Sequence, residues 1–158
     1  MRELILLRHA HAEPASNGQA DLDRALSAEG LAEAEAAGRW LAANKLVPDC
    51  VLCSPSRRTR ETLEAVLGTI GYVDQRIEPA IYDATPGTLI ALADTHPEVE
   101  RLMLVGHNPG IERLAALVHS GQSGDYRGMP PGGIGVLSVP PGSSLEPGVA
   151  QLSAFWWP

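Results

Sequence analysis

Met1-Arg2-Glu3-Leu4-Ile5-Leu6-Leu7-Arg8-His9-Ala10 opens the chain with four consecutive apolar residues that stop at an Arg-His pair. A short unbroken apolar run of this kind predicts a buried strand. A strand with one wet face would alternate, and Leu4 to Leu7 does not, so the run suits a parallel strand covered on both sides. Ligands of such sheets bind just beyond the carboxyl ends of the strands, where Arg8 and His9 stand. They bring a fixed cation and a nitrogen able to attack, accept or donate a proton. Taken alone, an Arg-His dipeptide reads as a polar strand end, and only the rest of the chain changes that reading.

Downstream, short apolar runs alternate with amphipathic segments, which predicts an α/β fold. A polar loop, Glu13 to Arg24, leads to Ser27, a predicted cap for a helix over Ala28 to Asn44 with Leu31, Ala34, Gly38, Leu41 and Ala42 on one face. Asp49 to Cys53 reads as a second strand. Ser54-Pro55 reads as cap plus first-turn proline of a helix ending near Gly71, with Leu63, Val66, Leu67 and Ile70 as its stripe. Ile77 to Ile81 reads as a short strand, placed at an edge by Pro79. Thr85-Pro86 starts a third helix, Leu102 to Val105 is a third continuous apolar strand, and Asn108-Pro109 starts a fourth helix. Ile134 to Val139 and Val149 to Trp157, separated by the Pro140–Gly148 turn region, predict a hairpin or neighbouring strands closing the sheet. Phe155-Trp156-Trp157 is expected to cover the core, with a partner surface as the alternative.

Three of these strands deliver polar clusters at their ends. Leu4–Leu7 delivers Arg8-His9, Cys50–Cys53 delivers Ser54-Pro55-Ser56-Arg57-Arg58, and Leu102–Val105 delivers Gly106-His107-Asn108-Pro109. If the strands are parallel neighbours, two imidazoles and at least two guanidiniums meet at one sheet edge. Helix N-termini there add backbone N–H donors that favour an anion, and arginine forks match phosphate oxygens. The chemistry that converges is a phosphate pocket holding two histidines.

Composition sets the limits. At 158 residues the chain suits one domain spanning 1–158, and 44% hydrophobic with 20% charged residues is ordinary globular content. A net charge of -7 disfavours a general nucleic-acid or anionic-membrane surface. No run approaches the length of a membrane span, and no leader pattern precedes the first strand, so a cytoplasmic protein is expected. Cys50 and Cys53 form a C-x-x-C, but residues three apart on a strand point to opposite faces. With no second cysteine pair for zinc, they read as buried structural thiols.

Arg8-His9-Ala10, Ser54-Pro55-x-x-Arg58-Thr59-x-x-Thr62, Gly106-His107-Asn108-Pro109 and Asp23-Arg24-x-Leu26-Ser27-x-x-Gly30 together resemble the histidine phosphatase, or phosphoglycerate mutase-like, superfamily. The short length and the Arg-His-Ala variant are similar to its SixA-type branch of phosphohistidine phosphatases, and the likeness runs from Leu4 to the last strand. The resemblance implies a three-layer α/β/α domain with a mostly parallel central sheet. It also implies a nucleophilic His9, phosphoryl-binding Arg8, Arg58 and His107, and no metal or other cofactor. Arg24 matches a basic residue near the pocket in that branch; its own sequence context equally allows a loop anchor paired with Asp21 or Asp23. Asp83 is the nearest candidate for a general acid, although Tyr82-Asp83-Ala84 fits the family's acid motif poorly, and Glu13 and Glu112 read as solvent-facing or capping residues. A weak or absent acid suits a phosphoramidate, whose imidazole leaves more readily than an alkoxide. The expected substrate is a phosphorylated protein such as a His-containing phosphotransfer domain. The alternatives are a small phosphorylated metabolite and, without turnover, a phospho-ligand binding module.

Overall fold

The computed structural model describes residues 1–122, 124 and 128–158. Among them, one sheet contains β1 (Glu3–Arg8), β2 (Cys50–Cys53), β3 (Asp74–Ile77), β4 (Arg101–Gly106), β5 (Ile134–Ser138) and β6 (Gln151–Trp156). The helices are α1 (Ala28–Ala43), α2 (Arg57–Ile70), α3 (Pro86–Asp94) and α4 (Gly110–Ser120), with short 3-10 turns at Asp21–Asp23 and Pro79–Ile81. The strand order is β3-β2-β4-β1-β5-β6. The first four strands are parallel, and β5 and β6 add antiparallel pairs on the far side of β1. Because β2, β4 and β1 are adjacent and parallel, their three polar ends open on one edge. Arg8 lies in register with Gly106, and Cys53 with Val105.

The period of two along each strand decides which helices it meets. Leu4, Leu6, Leu52, Leu102 and Leu104 face α3 and α4, against Leu89, Ala93, Ile111, Leu114 and Val118. Ile5, Leu7, Val51, Met103 and Val105 face α1 and α2, against Ala37, Leu41, Leu63 and Val66. The fold is therefore a three-layer α/β/α sandwich, and both dry faces explain the unbroken apolar runs. Truncating a fully buried leucine such as Leu104 to alanine costs about 2 to 5 kcal/mol in settings of this kind. Cys50 and Cys53 are free and buried, one in each cluster, and burial pushes the Cys53 thiol up to about 12.

Gly38 sets the approach of α1 to α2: a Cβ there would lie 1.9 Å from Thr69 Oγ1 and 3.0 Å from the Val66 carbonyl oxygen. That close approach rotates the α1 stripe, so Ala37 is buried while Leu31 is 48% exposed and Ala42 also faces solvent. Trp156 stacks on Trp40 at 5.6 Å, and Phe155 packs on the α3–α4 side. Two aromatics of the terminal cluster thus cover the core, and Trp157 is 54% exposed.

Three local expectations shift. The strand expected over Ile77 to Ile81 is Asp74–Ile77, exposed and at the sheet edge. Pro79, with fixed φ and no N–H to donate, instead opens the 3-10 turn. The α2 cap is Ser56, whose Oγ accepts from the Thr59 N–H at 3.2 Å; Ser54 is spent elsewhere. In α4 the cap position falls on Pro109, after a cis peptide bond, and Asn108 Oδ1 accepts from the Glu112 N–H at 3.3 Å. No helix among the described residues is long and apolar enough to cross a membrane.

Candidate active site

The ends of β1, β2 and β4 bring His9, Arg8, Arg58 and His107 together. The His9 and His107 rings lie 5.3 Å apart between centroids, and Arg58 Nη2 is 3.4 Å from His107 Nδ1. Arg58 occupies the first turn of α2 with its side chain 8% exposed. The Ala10 N–H donates to Thr62 Oγ1 at 3.0 Å, and Thr62 Oγ1 donates to the Arg58 carbonyl at 2.7 Å. Thr62 therefore ties the turn after His9 to the start of α2. Ala10 is absent from the positive-φ positions, so its methyl group is accommodated. Gly30 brings α1 against the same segment, since a Cβ there would lie 1.9 Å from the His11 carbonyl oxygen.

The hydrogen bonds determine the tautomers. His9 Nδ1 lies 2.7 Å from the Ala10 carbonyl oxygen, which can only accept. Neutral His9 therefore carries its proton on Nδ1 and has its free lone pair on Nε2. Burial, with further contributions from Arg58, Arg8 and Arg24, pushes His9 down to about 4, so the ring is neutral at pH 7. A guanidinium can only donate, so His107 Nδ1 accepts from Arg58, and Nε2–H donates to Ser54 Oγ at 2.7 Å. Burial, followed by His9 and Arg58, pushes His107 down to about 3. An anion placed between these groups would oppose that effect and favour the imidazolium.

The arginines retain unspent donors. Arg8 Nη1 donates to the Met129 carbonyl at 2.8 Å. Arg58 Nη1 and Nη2 donate to the Asp21 backbone oxygen at 2.8 Å and to Asp21 Oδ2 at 3.0 Å. Yet Arg8 Nε and Arg58 Nε are buried with no hydrogen-bond partner. Buried N–H groups are nearly always paired, so two orphaned guanidinium donors beside two neutral imidazoles mark a place built for an oxyanion. Among the described residues, no three His, Cys, Asp or Glu side chains gather to hold a metal ion.

The structure separates the remaining candidates. Arg24 is a loop anchor at the pocket's rim: Nη1 donates to Asp21 Oδ1 at 3.0 Å and Nε to the Glu13 carbonyl at 2.9 Å. Its charge also reaches His9. Asp83 is exposed and lines a crevice beside His107, but no hydrogen bond or ion pair joins it to His9 or His107. Glu112 is a half-buried clamp, accepting from Asn108 Nδ2 at 3.0 Å and from the Met129 N–H at 3.1 Å. It thus supports the carbonyl that holds Arg8, and together with Glu33 it opposes the lowering of Arg8 by burial.

Sequence reasoning missed three contributors. Ser54, fully buried, orients His107. Asp21, expected only as one of two partners for Arg24, also accepts from Arg58 and the Tyr82 hydroxyl, and Tyr82 stands edge-on to His107 at 5.4 Å. Asp21, Arg58 and Tyr82 lie 37 and 61 residues apart along the chain, so no local spacing could have announced them.

Comparisons with known proteins show the family and the fold. Residues 4–102 match the profile of the histidine phosphatase superfamily, branch 1. The chain is 38% identical over 162 residues to the uncharacterized protein Rv1276c of Mycobacterium tuberculosis, covering 96% of this chain and 99% of the relative. A candidate phosphohistidine phosphatase SixA of Agrobacterium tumefaciens superposes with a TM-score of 0.86 at 32% identity, covering 99% of this chain and 98% of the other. Another candidate SixA, from Nakamurella multipartita, superposes at 0.84 with 30% identity, covering 99% and 96%.

Proposed function

The chain belongs to the histidine phosphatase superfamily, and from that premise we propose that it hydrolyses a protein phosphohistidine through a phosphohistidine intermediate on its own His9. The observation that carries this reading is the pair of orphaned guanidinium donors beside a neutral His9 whose Nε2 lone pair is free. His9 Nε2 attacks phosphorus, the N–P bond forms as the bond to the leaving group breaks, and the leaving group departs with the electron pair. Water then attacks the phosphorylated His9, releasing inorganic phosphate and restoring the imidazole; one difficult displacement becomes two easier ones. Arg8 and Arg58 take the negative charge of the transferring phosphoryl group through donors already in place. His107, held by Ser54, adds a proton-bearing nitrogen once the anion has raised its basicity.

What surrounds the leaving side supports this substrate class. Asp83 is exposed and unattached to the histidines, and Glu112 has its Oε2 committed to Asn108 and Met129. Among the described residues, neither Asp83 nor Glu112 stands ready to protonate an alkoxide, which suits a phosphoramidate whose leaving imidazole needs less help. The crevice of about 250 Å³ beside His107 favours a second reading, a small phosphorylated metabolite whose leaving group lies there. Turnover of a phosphohistidine protein against a panel of sugar and alkyl phosphates, with His9→Ala as control, decides between them. A clear preference for the protein supports the first reading and the reverse ranking overturns it. Phosphate binding without turnover of any substrate would leave only a binding module.

A further inference from the structure

Resting on the phosphoryl-pocket reading, we propose that Asp21 is a resident counter-anion on Arg58 that sets how tightly the pocket holds a phosphoryl group. Arg58 commits both terminal nitrogens to this one residue, Nη1 to its backbone oxygen at 2.8 Å and Nη2 to its carboxylate at 3.0 Å. Nη2 is also the atom that faces His107 Nδ1, so it points to where the phosphoryl group would be held. A phosphoryl oxygen seeking a bidentate grip on Arg58 must therefore compete with Oδ2 of Asp21. The carboxylate can yield without being abandoned. Oδ1 accepts from Arg24 at 3.0 Å, Oδ2 also accepts from the Tyr82 hydroxyl, and Arg24 is itself tethered to the Glu13 carbonyl.

Asp21 lies in the 3-10 turn Asp21–Asp23 with its side chain half exposed, so a small shift toward water releases Arg58 while keeping two of its partners. Tyr82 and Arg58 share Oδ2, which makes them rivals for the same lone pairs. The arrangement weakens retention of a free phosphate ion, the product of the reaction, and so helps clear the pocket after each turnover. Arg24, Arg58, Tyr82 and His107 face this carboxylate, and its negative charge offsets part of the positive field at the pocket.

The test is inhibition of p-nitrophenyl phosphate hydrolysis by inorganic phosphate and by vanadate, in the wild type, Asp21→Asn and Tyr82→Phe. Asp21→Asn keeps an acceptor oxygen and removes the charge. It should tighten phosphate and vanadate inhibition about tenfold and lower KM and kcat together as product release slows. Tyr82→Phe leaves Oδ2 wholly to Arg58 and should weaken inhibition about threefold. Opposite signs are the signature, because a carboxylate that merely positions Arg58 would make both variants bind more weakly. Weaker inhibition in Asp21→Asn, or a change below about twofold, overturns the proposal. If Asp21→Asn does not fold, Asp21→Ser carries the same expectation. Should the wild type neither bind phosphate nor turn over any phosphoryl substrate, the pocket reading itself fails, an outcome distinct from failure of the Asp21 proposal.

Discussion

The two ends of the sheet both carry charge and differ in how completely it is paired. Where β1 and β4 begin, Arg101 donates Nε and Nη2 to Glu3 at 2.8 and 2.6 Å, and Nη1 to the Val47 carbonyl at 3.1 Å. Its backbone N–H meets Asp49 Oδ2 at 2.9 Å, so every one of its nitrogens has a partner within the protein. At the opposite edge, where β1, β2 and β4 end, Arg8 and Arg58 each keep a buried, unpartnered Nε and two imidazoles are held neutral. The larger cavity, about 810 Å³, lies at the paired end, against about 250 Å³ beside His107. Size and chemistry point to opposite ends, and the chemistry decides: a satisfied ion pair holds the fold, whereas unspent donors beside a free lone pair can act on a ligand.

The sharpest way to break this comparison is to remove the lone pair. His9→Ala should lower kcat by at least about 10⁴-fold and leave no acid-quenched phosphoenzyme, with binding of phosphate largely kept. Substantial turnover by this variant would move the nucleophile elsewhere. Next in size is Arg58→Ala, which removes a charge-stabilising fork and should cost about 10²- to 10³-fold in kcat/KM. Arg58→Lys should recover little, because an ammonium cannot reproduce the planar fork.

The pairing difference also explains what the sequence made legible. Three strand ends could be read because each was local: an apolar run, then a polar cluster at a helix start. Adjacent parallel strands then needed only one assumption to bring Arg8, His9, Arg58 and His107 together. The layers were equally readable, since runs such as Leu4–Leu7 have no wet face. Asp21, Tyr82 and Ser54 were not readable in their roles, because their contacts join separate segments and the same residue types serve in ordinary turns and caps. Ser54 shows this directly: beside Pro55 it fits a helix cap, yet Ser56 caps and Ser54 faces His107. The short strand before Tyr82 was displaced for a similar reason, because Asp74–Ile77 is exposed and lacks the apolar signature that marks a central strand.

Ser54→Ala should lower kcat about tenfold, since it leaves the His107 Nε2–H without its acceptor and the ring free to turn. An unchanged kcat would show that His107 needs no such support. The pH dependence is a smaller effect with a definite sign. His9 sits at about 4 in the folded protein, so it stays neutral at pH 5.5, where an ordinary histidine would be only about one-tenth neutral. Once corrected for ionisation of the substrate, kcat/KM should fall less than about twofold between pH 7 and 5.5. The same depression makes the unfolded chain bind more protons between about 4 and 6.5. Folding stability from His9 is therefore fully present above pH 6.5 and is lost as pH falls toward 4. His9→Gln should flatten that decline in urea midpoints measured across the range, and an equal slope in both proteins would contradict it.

The smallest expected effect on turnover lies at the other end of the sheet. Arg101→Ala breaks the Glu3 pair, whose side chains are each less than a third exposed, and also frees the Val47 carbonyl. Surface-weighted ion pairs contribute little, so unfolding free energy should fall by about 1 kcal/mol, with kcat/KM within about twofold of wild type. The two quantities separate because Arg101 and Glu3 stand at the far ends of β4 and β1 from the reacting edge, with fully buried residues along both strands between. A tenfold loss of turnover in a folded Arg101→Ala protein would mean that the paired end takes part in the chemistry, and that unspent hydrogen-bonding capacity is not what distinguishes the two ends.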